Sequence, residues 1–168
     1  MQFEGIFTPI VTPYYNDFSL NGNALAETVE HLIAAGVNGI VVAGSTGEYY
    51  AQDPEERLEM MTRCAGLING RVPIVMGTGA IRTEDSIMYA KAAKKAGADA
   101  LLVATPPYAY PTGREIALHA LAVDRAANLP VMLYNYPGRM SVNMDEDCLD
   151  PFRPFTQLLR HQGKLWRY

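Results

Sequence analysis

Two neighbouring hydroxyl residues, Ser45 and Thr46, stand between two glycines in a segment that could bind a small carboxylate. Gly44 and Gly47 allow a sharp turn that presents backbone N–H groups, and the two hydroxyls supply further hydrogen-bond donors. The plainer interpretation is a glycine turn from which Glu48 enters the next helix. The residues by themselves favour the two interpretations about equally.

Two further segments carry side chains that could do chemistry. Tyr134 and Arg139 lie five positions apart, and a phenol can relay protons while a guanidinium can hold a carboxylate through two parallel hydrogen bonds. In residues 105–111, three prolines stiffen a loop around Tyr108 and could hold its side chain rigidly. Taken singly, packing roles for the tyrosines and a surface role for Arg139 are favoured over catalytic roles.

The histidines and cysteines show no pattern typical of a metal site. His31 and His119 fall in predicted helices and His161 lies near the C-terminus, so surface or packing roles are favoured over metal binding. Cys64 and Cys148 have no metal-ligand spacing, and two free thiols are favoured over a disulfide. We therefore expect no metal, no cofactor and a reducing, cytoplasmic location.

Charge and hydropathy exclude two classes of partner. The net charge is −4, and phosphate binding requires clustered Lys and Arg, so no nucleic-acid partner is predicted. No apolar run reaches the roughly 18 residues that would span a bilayer, so no membrane segment is predicted either.

Short apolar segments alternate with amphipathic ones and predict repeated β/α units. The predicted strands are residues 5–8, 39–43, 72–77, 100–104 and 131–135. The predicted helices run over 23–35, from an N-cap at Asp53 to about Ile68, from an N-cap at Thr83 to Gly97, and from an N-cap at Thr112 to about Asn128. Nearly all strand residues are apolar, as in parallel strands buried on both faces.

Two architectures accommodate such units, a (β/α)8 barrel and a doubly wound open sheet. No G-x-G-x-x-G or Walker-type loop follows the first strand, which disfavours an open dinucleotide-binding sheet. Polar residues instead follow several strands, and a barrel gathers such positions around one mouth. Since a barrel usually needs about 250 residues, the sequence predicts an α/β protein with an incomplete (β/α)8 TIM barrel of about five units.

In order and spacing, these segments resemble the pyruvate-dependent aldolases of the dihydrodipicolinate synthase and N-acetylneuraminate lyase family. The resemblance begins in residues 5–13, which read GIFTPIVTP, and extends to about Asp150. It implies a Schiff base between an active-site lysine and pyruvate, whose enamine attacks an aldehyde, or the reverse cleavage of a sugar acid. It also implies pyruvate and an aldehyde as substrates, and family members are commonly homo-oligomeric.

The resemblance assigns roles to individual residues. Ser45 and Thr46 would hold the pyruvate carboxylate, and Tyr134 would shuttle protons at the Schiff base. Tyr108 would complete the relay, and in the synthases this tyrosine comes from a neighbouring subunit. Arg139 resembles the synthase arginine that meets the second substrate's carboxylate, which favours a 4-hydroxy-tetrahydrodipicolinate synthase-like member over a sialic-acid lyase. Some positions depart from the family pattern and leave the identity of the aldehyde substrate undetermined: Ser45, Pro107, Ala109, Tyr110 and Met140.

The Schiff-base lysine of the family has no counterpart in this sequence. Lys91, Lys94 and Lys95 lie in a predicted helix, and Lys164 lies in a segment without the family motif. The composition also changes after Asp150, because residues 1–150 carry ten basic and eighteen acidic residues and residues 151–168 carry four basic residues and no acid.

These two observations motivate the hypothesis that residues 151–168 are an out-of-frame tail behind a barrel fragment formed by residues 1–150. A one-base shift after Asp150 allows the tail to be read as RFGRSRNFCAIKESSGD, with a lysine at position 162 and the family motif around it. We expect such an open barrel to be poorly stable or to aggregate, because a strand edge is exposed, and to lack Schiff-base activity. The alternatives are a sugar-acid lyase or dehydratase of the same family, and a catalytically inactive product or binding module.

Overall fold

The computed structural model of the chain describes residues 3–145, which form five successive β/α units. The strands are β1 Phe7–Pro9, β2 Gly39–Val42, β3 Ile74–Gly77, β4 Ala100–Ala104 and β5 Val131–Tyr134. The helices are α1 Gly22–Ala34, α2 Pro54–Ile68, α3 Thr83–Ala96, α4 Gly113–Ala127 and the short α5 Pro137–Met140, and two 3₁₀ helices cover Ser45–Gly47 and Tyr49–Ala51.

The five strands form one parallel sheet in the order β1-β2-β3-β4-β5. Within residues 3–145, β1 and β5 each pair on one side only, so the sheet is an open half-barrel. This confirms the predicted α/β class and the incomplete barrel of five units. The low stability expected from the open edges stays a prediction.

Alternate strand residues face opposite sides of the sheet, and both sides are apolar. Ile40 and Met76 belong to the large cluster that the strands form with the helices. Val41 and Val75 face the other way, where Phe3 and Phe7 pack over them. Burial on both faces explains why the strands read as continuous apolar runs.

The helix ends confirm most of the predicted caps. The Asp53 side chain accepts a hydrogen bond from the Glu56 amide at 2.9 Å, and Thr112 forms a reciprocal capping box with Glu115. Such pairs satisfy amide groups that have no partner inside the helix. Helix α4 ends at its C-cap Asn128, where the sequence predicts the end, and this residue has a left-handed backbone.

The predicted cap at Thr83 is wrong. Arg82 is the N-cap of α3 and makes no side-chain cap, whereas Thr83 is the first helical residue. The Thr83 hydroxyl is bonded instead to Nδ1 of His119 on α4, at 3.0 Å. A tertiary partner has therefore replaced the local one.

The predicted strand limits differ from the observed ones by up to two residues. The first strand starts at Phe7 rather than at residue 5, because the Ile6 amide bonds the Asn38 side chain at 2.8 Å instead of joining the sheet. The predictions about Cys148, His161, Lys164 and the basic tail concern residues outside the described part of the chain. Cys64 is a buried free thiol, as expected, and burial raises its pKa to about 12.

His119 gives the fold a pH dependence. Burial lowers the pKa of this imidazole, so the folded chain binds a proton less readily than the unfolded chain. Stability is therefore fully present above the unfolded-state pKa of about 6.5 and falls as the pH drops through it. We expect urea denaturation midpoints to decrease from pH 7.5 to pH 5.5.

A pair of variants separates His119 from other titrating groups. His119→Gln should reduce the loss of stability between the two pH values, because the amide does not gain a charge. His31→Gln should leave the loss unchanged, since His31 is exposed on α1. Equal pH dependence in the wild type and His119→Gln would contradict this assignment.

No helix in residues 3–145 is long and apolar enough to cross a membrane.

Candidate active site

A small cavity lies at the carboxyl ends of β2, β3, β4 and β5, where a parallel barrel places its active site. Its volume is about 10 Å³, which is room for about one water molecule. The lining combines small residues with two tyrosines and a serine: Ala43, Gly44, Ser45, Tyr49, Gly77, Gly79, Leu102, Ala104, Tyr134 and Met140.

The structure brings Ser45 and Tyr134 together although they are 89 positions apart. Their hydroxyl groups lie 3.4 Å apart, a long hydrogen bond in which either group can donate. Tyr134 is the last residue of β5, and Ser45 opens a 3₁₀ helix just after β2. The first amides of such a helix have no partner inside it, so this turn can offer hydroxyl and amide donors to an anion.

The turn that carries Ser45 is held by residues the sequence analysis did not single out. Thr12 donates its hydroxyl to the Gly47 carbonyl at 2.7 Å, and the Gln52 amide donates to Thr12 at 3.2 Å. The same Gln52 nitrogen donates to the Tyr14 hydroxyl at 3.0 Å. The loop after β1 therefore fixes the loop after β2.

Thr46 and Arg139 are exposed near the cavity but do not line it. Arg139 lies on α5, and its guanidinium carbon is 5.8 Å from the centre of the Tyr136 ring. Burial raises the pKa of Tyr49 in the cavity wall, and the charge of Arg139 acts in the opposite direction as a smaller contribution. Asn135 fixes this loop by accepting a hydrogen bond from the Met144 amide at 3.1 Å.

Tyr108 does not join the other predicted residues. It is 89% exposed, lies outside the cavity lining and has a left-handed backbone with φ of 72°. Among residues 3–145 it therefore does not take part in the cavity that Ser45 and Tyr134 line.

Tyr49 lies in the cavity wall and Arg57 lies behind it. The sequence predicted neither residue as part of the site. Arg57 is 2% exposed and donates to the carbonyls of Gly79 and Gly77, each at 2.7 Å. Burial lowers its pKa to about 10 and burial raises that of Tyr49. The signal was present in the helix, because Arg57 shares a face with the buried Met60, Met61 and Cys64.

The cavity has no lysine among residues 3–145. Lys91, Lys94 and Lys95 lie on α3, and the Lys94 amine donates to the Ala127 carbonyl at the end of α4. In the same part of the chain, no group of three or more His, Cys, Asp or Glu side chains is placed to hold a metal ion.

Comparison with known proteins identifies the chain's relatives. Residues 2–152 match the dihydrodipicolinate synthetase family. The 4-hydroxy-tetrahydrodipicolinate synthase of Thioalkalivibrio sulfidiphilus is 41% identical over 148 residues, 88% of this chain and 50% of that protein. That of Bacillus subtilis is 37% identical over 139 residues, 83% of this chain and 48% of that protein. The chain thus spans about half the length of the curated relatives it matches.

Solved structures give the same result. The chloride-inhibited dihydrodipicolinate synthase from Acinetobacter baumannii, complexed with pyruvate, has a TM-score of 0.84 and 39% identity over 88% of this chain and 50% of its own. A prophage protein of the dihydrodipicolinic acid synthase family from E. coli K12, also in complex with pyruvate, has a TM-score of 0.85 and 30% identity over 89% of this chain and 50% of its own. The family match and these relatives show that the chain belongs to the dihydrodipicolinate synthetase family, in agreement with its five parallel strands.

Proposed function

We propose that this chain carries the pyruvate-binding part of a Schiff-base synthase site, of the kind that condenses pyruvate with an aldehyde. The observation that carries the proposal is the 3.4 Å approach of the Ser45 and Tyr134 hydroxyls at the carboxyl ends of β2 and β5. A serine in a turn with outward amides suits a small carboxylate, and a phenol beside it suits proton transfer. Two solved relatives are complexes with pyruvate, which supports this ligand.

In this proposal each side chain has a separate task. Ser45 and Thr46 hold the carboxylate of pyruvate, which places its carbonyl carbon next to the Tyr134 hydroxyl. Tyr134 relays the protons that must move when an amine adds to that carbonyl and water leaves. Arg139, exposed at the mouth on α5, meets the carboxylate of the second substrate. Tyr108 belongs to the relay only when it comes from a neighbouring copy of the chain.

The covalent step needs an amine that residues 3–145 do not bring to the cavity. We therefore propose that the 168-residue chain binds pyruvate but does not form the Schiff base, and that a one-base shift after Asp150 removed the lysine. The family match ends at residue 152, two positions after the proposed shift, which supports this location. A lyase or dehydratase of the same family remains the alternative chemistry for the restored frame.

Pyruvate binding by the 168-residue chain tests the proposal. In ligand-observed NMR we expect Ser45→Ala to weaken binding roughly ten- to hundredfold, since a hydrogen bond to a charged group contributes about 1.5–3 kcal/mol. Tyr134→Phe should weaken binding less, because its hydroxyl faces the carbonyl rather than the carboxylate.

Two matched variants control for the chemical change itself. Thr62→Ala removes a hydroxyl from the exposed side of α2. Tyr50→Phe removes the phenol hydroxyl of a residue that is 65% exposed. Both should bind pyruvate like the wild type. The proposal fails if the wild type does not bind pyruvate, or if Ser45→Ala and Thr62→Ala bind equally well.

A further inference from the structure

Arg57 is a buried cation directly behind the cavity. It belongs to α2, and 2% of its surface is exposed. One terminal nitrogen donates to the Gly79 carbonyl and the other to the Gly77 carbonyl, both at 2.7 Å. The guanidinium is thereby fixed against the segment that follows β3.

Within the described part of the chain, no acid neutralises the charge of Arg57. Among residues 3–145, no carboxylate lies within 4.0 Å of its guanidinium. The guanidinium carbon lies instead 3.9 Å from the ring centre of Tyr89 and 4.7 Å from that of Tyr49. Carbonyl dipoles and ring faces offset part of the cost of burying a charge, but they leave its net positive sign.

Three of the four residues that Arg57 contacts also line the cavity. Gly77, Gly79 and Tyr49 line the cavity together with Ser45 and Tyr134. Tyr49 packs so closely on Gly79 that a Cβ there would lie 2.9 Å from the Tyr49 hydroxyl oxygen. Removal of Arg57 would therefore loosen both Tyr49 and the segment that carries Gly77 and Gly79. It would also remove the positive charge that lies behind this part of the wall.

We propose that Arg57 is a positioning residue whose uncompensated charge makes the cavity selective for an anionic ligand, a small α-keto carboxylate. The inference rests on the proposed function and extends it, because it assigns the preference for the anion to a residue that does not touch the ligand. Coulomb interactions decay slowly in a low-dielectric interior, so a charge behind the wall still acts on a carboxylate held at the mouth of the cavity, beside the Ser45 turn.

The test compares pyruvate with its uncharged amide, pyruvamide, by ligand-observed NMR on the full 168-residue chain. In Arg57→Gln we expect a roughly tenfold weaker affinity for pyruvate and a nearly unchanged affinity for pyruvamide. Arg57→Lys keeps the charge and should keep the preference for pyruvate. Arg63→Met is the matched control, because Arg63 is an exposed arginine on the same helix, paired with Glu59.

Each outcome decides the question. Equal losses for pyruvate and pyruvamide in Arg57→Gln would show a merely structural role and overturn the inference, as would an unchanged affinity for pyruvate. If Arg57→Gln does not fold by circular dichroism, Arg57→Lys decides, and loss of its preference for pyruvate overturns the inference. A wild type that binds neither compound overturns the proposed function and this inference with it, whereas a wild type that binds pyruvate without discrimination overturns the inference alone.

Discussion

Borohydride reduction in the presence of pyruvate is expected to leave the 168-residue chain without a covalent adduct. A Schiff base requires an unprotonated amine within reach of the pyruvate carbonyl. The lysines of residues 3–145 lie on α3, outside the sheet, and none lines the cavity. Intact-mass spectrometry after reduction should therefore give the same mass with and without pyruvate.

The frame-restored chain is the matched comparison for this experiment. One base is removed after codon 150, so that a lysine occupies position 162 and the downstream codons are read in the same frame. We expect this chain to be trapped, and Tyr134→Phe in that background to slow trapping about 10²–10⁴-fold, the usual contribution of a proton-transfer group. A pyruvate adduct on the 168-residue chain itself would contradict the missing-lysine interpretation.

The coding DNA across codons 145–170 distinguishes the explanations before any protein is made. If the shifted frame encodes the lysine motif and further β/α units, the synthase function belongs to the restored protein. If no such frame exists, the Schiff-base mechanism fails for this chain and a non-catalytic binding role takes its place.

Local physical rules were sufficient to predict most of the fold. The strands are recognisable because both faces of the sheet are buried, and Ile40 and Val41 must both be apolar although they face opposite sides. The caps at Asp53 and Thr112 are visible because each bonds an amide three residues away. Thr83 was assigned wrongly because the capping rule considers only nearby residues. Its partner His119 is 36 positions distant, and no local pattern reveals it.

The candidate site was predictable only in part. Ser45 and Tyr134 were assigned through the family resemblance, because the residues alone left Ser45 undecided and favoured a packing role for Tyr134. The structure brings their hydroxyls within 3.4 Å. Arg57 does not stand out, because a charged residue in an amphipathic helix is ordinarily exposed. Its burial depends on two carbonyls and two tyrosine rings that only the folded chain assembles.

Gly77 is the position at which a single methyl group should damage the fold most. Ala43 has a left-handed backbone with φ of 54° and turns its carbonyl toward the end of β3, where a Cβ at residue 77 would overlap that oxygen. Both colliding groups belong to the backbone or are attached directly to it, so no side-chain rotation relieves the clash. We expect Gly77→Ala to lower the free energy of unfolding by about 3 kcal/mol or more, at the upper end of overpacking effects.

Gly66→Ala is the matched control, and its expected effect has the opposite sign. Gly66 lies inside α2, is exposed, and has no atom within 4 Å of the place a Cβ would occupy. Replacing an unhindered helical glycine by alanine stabilises a protein by roughly 0.5–1 kcal/mol. Urea denaturation followed by circular dichroism should therefore move the midpoint down for Gly77→Ala and up for Gly66→Ala. Two shifts in the same direction would show that the close approach of Ala43 and Gly77 does not limit stability, and the placement of the Ser45 turn beside β3 would lose its physical basis.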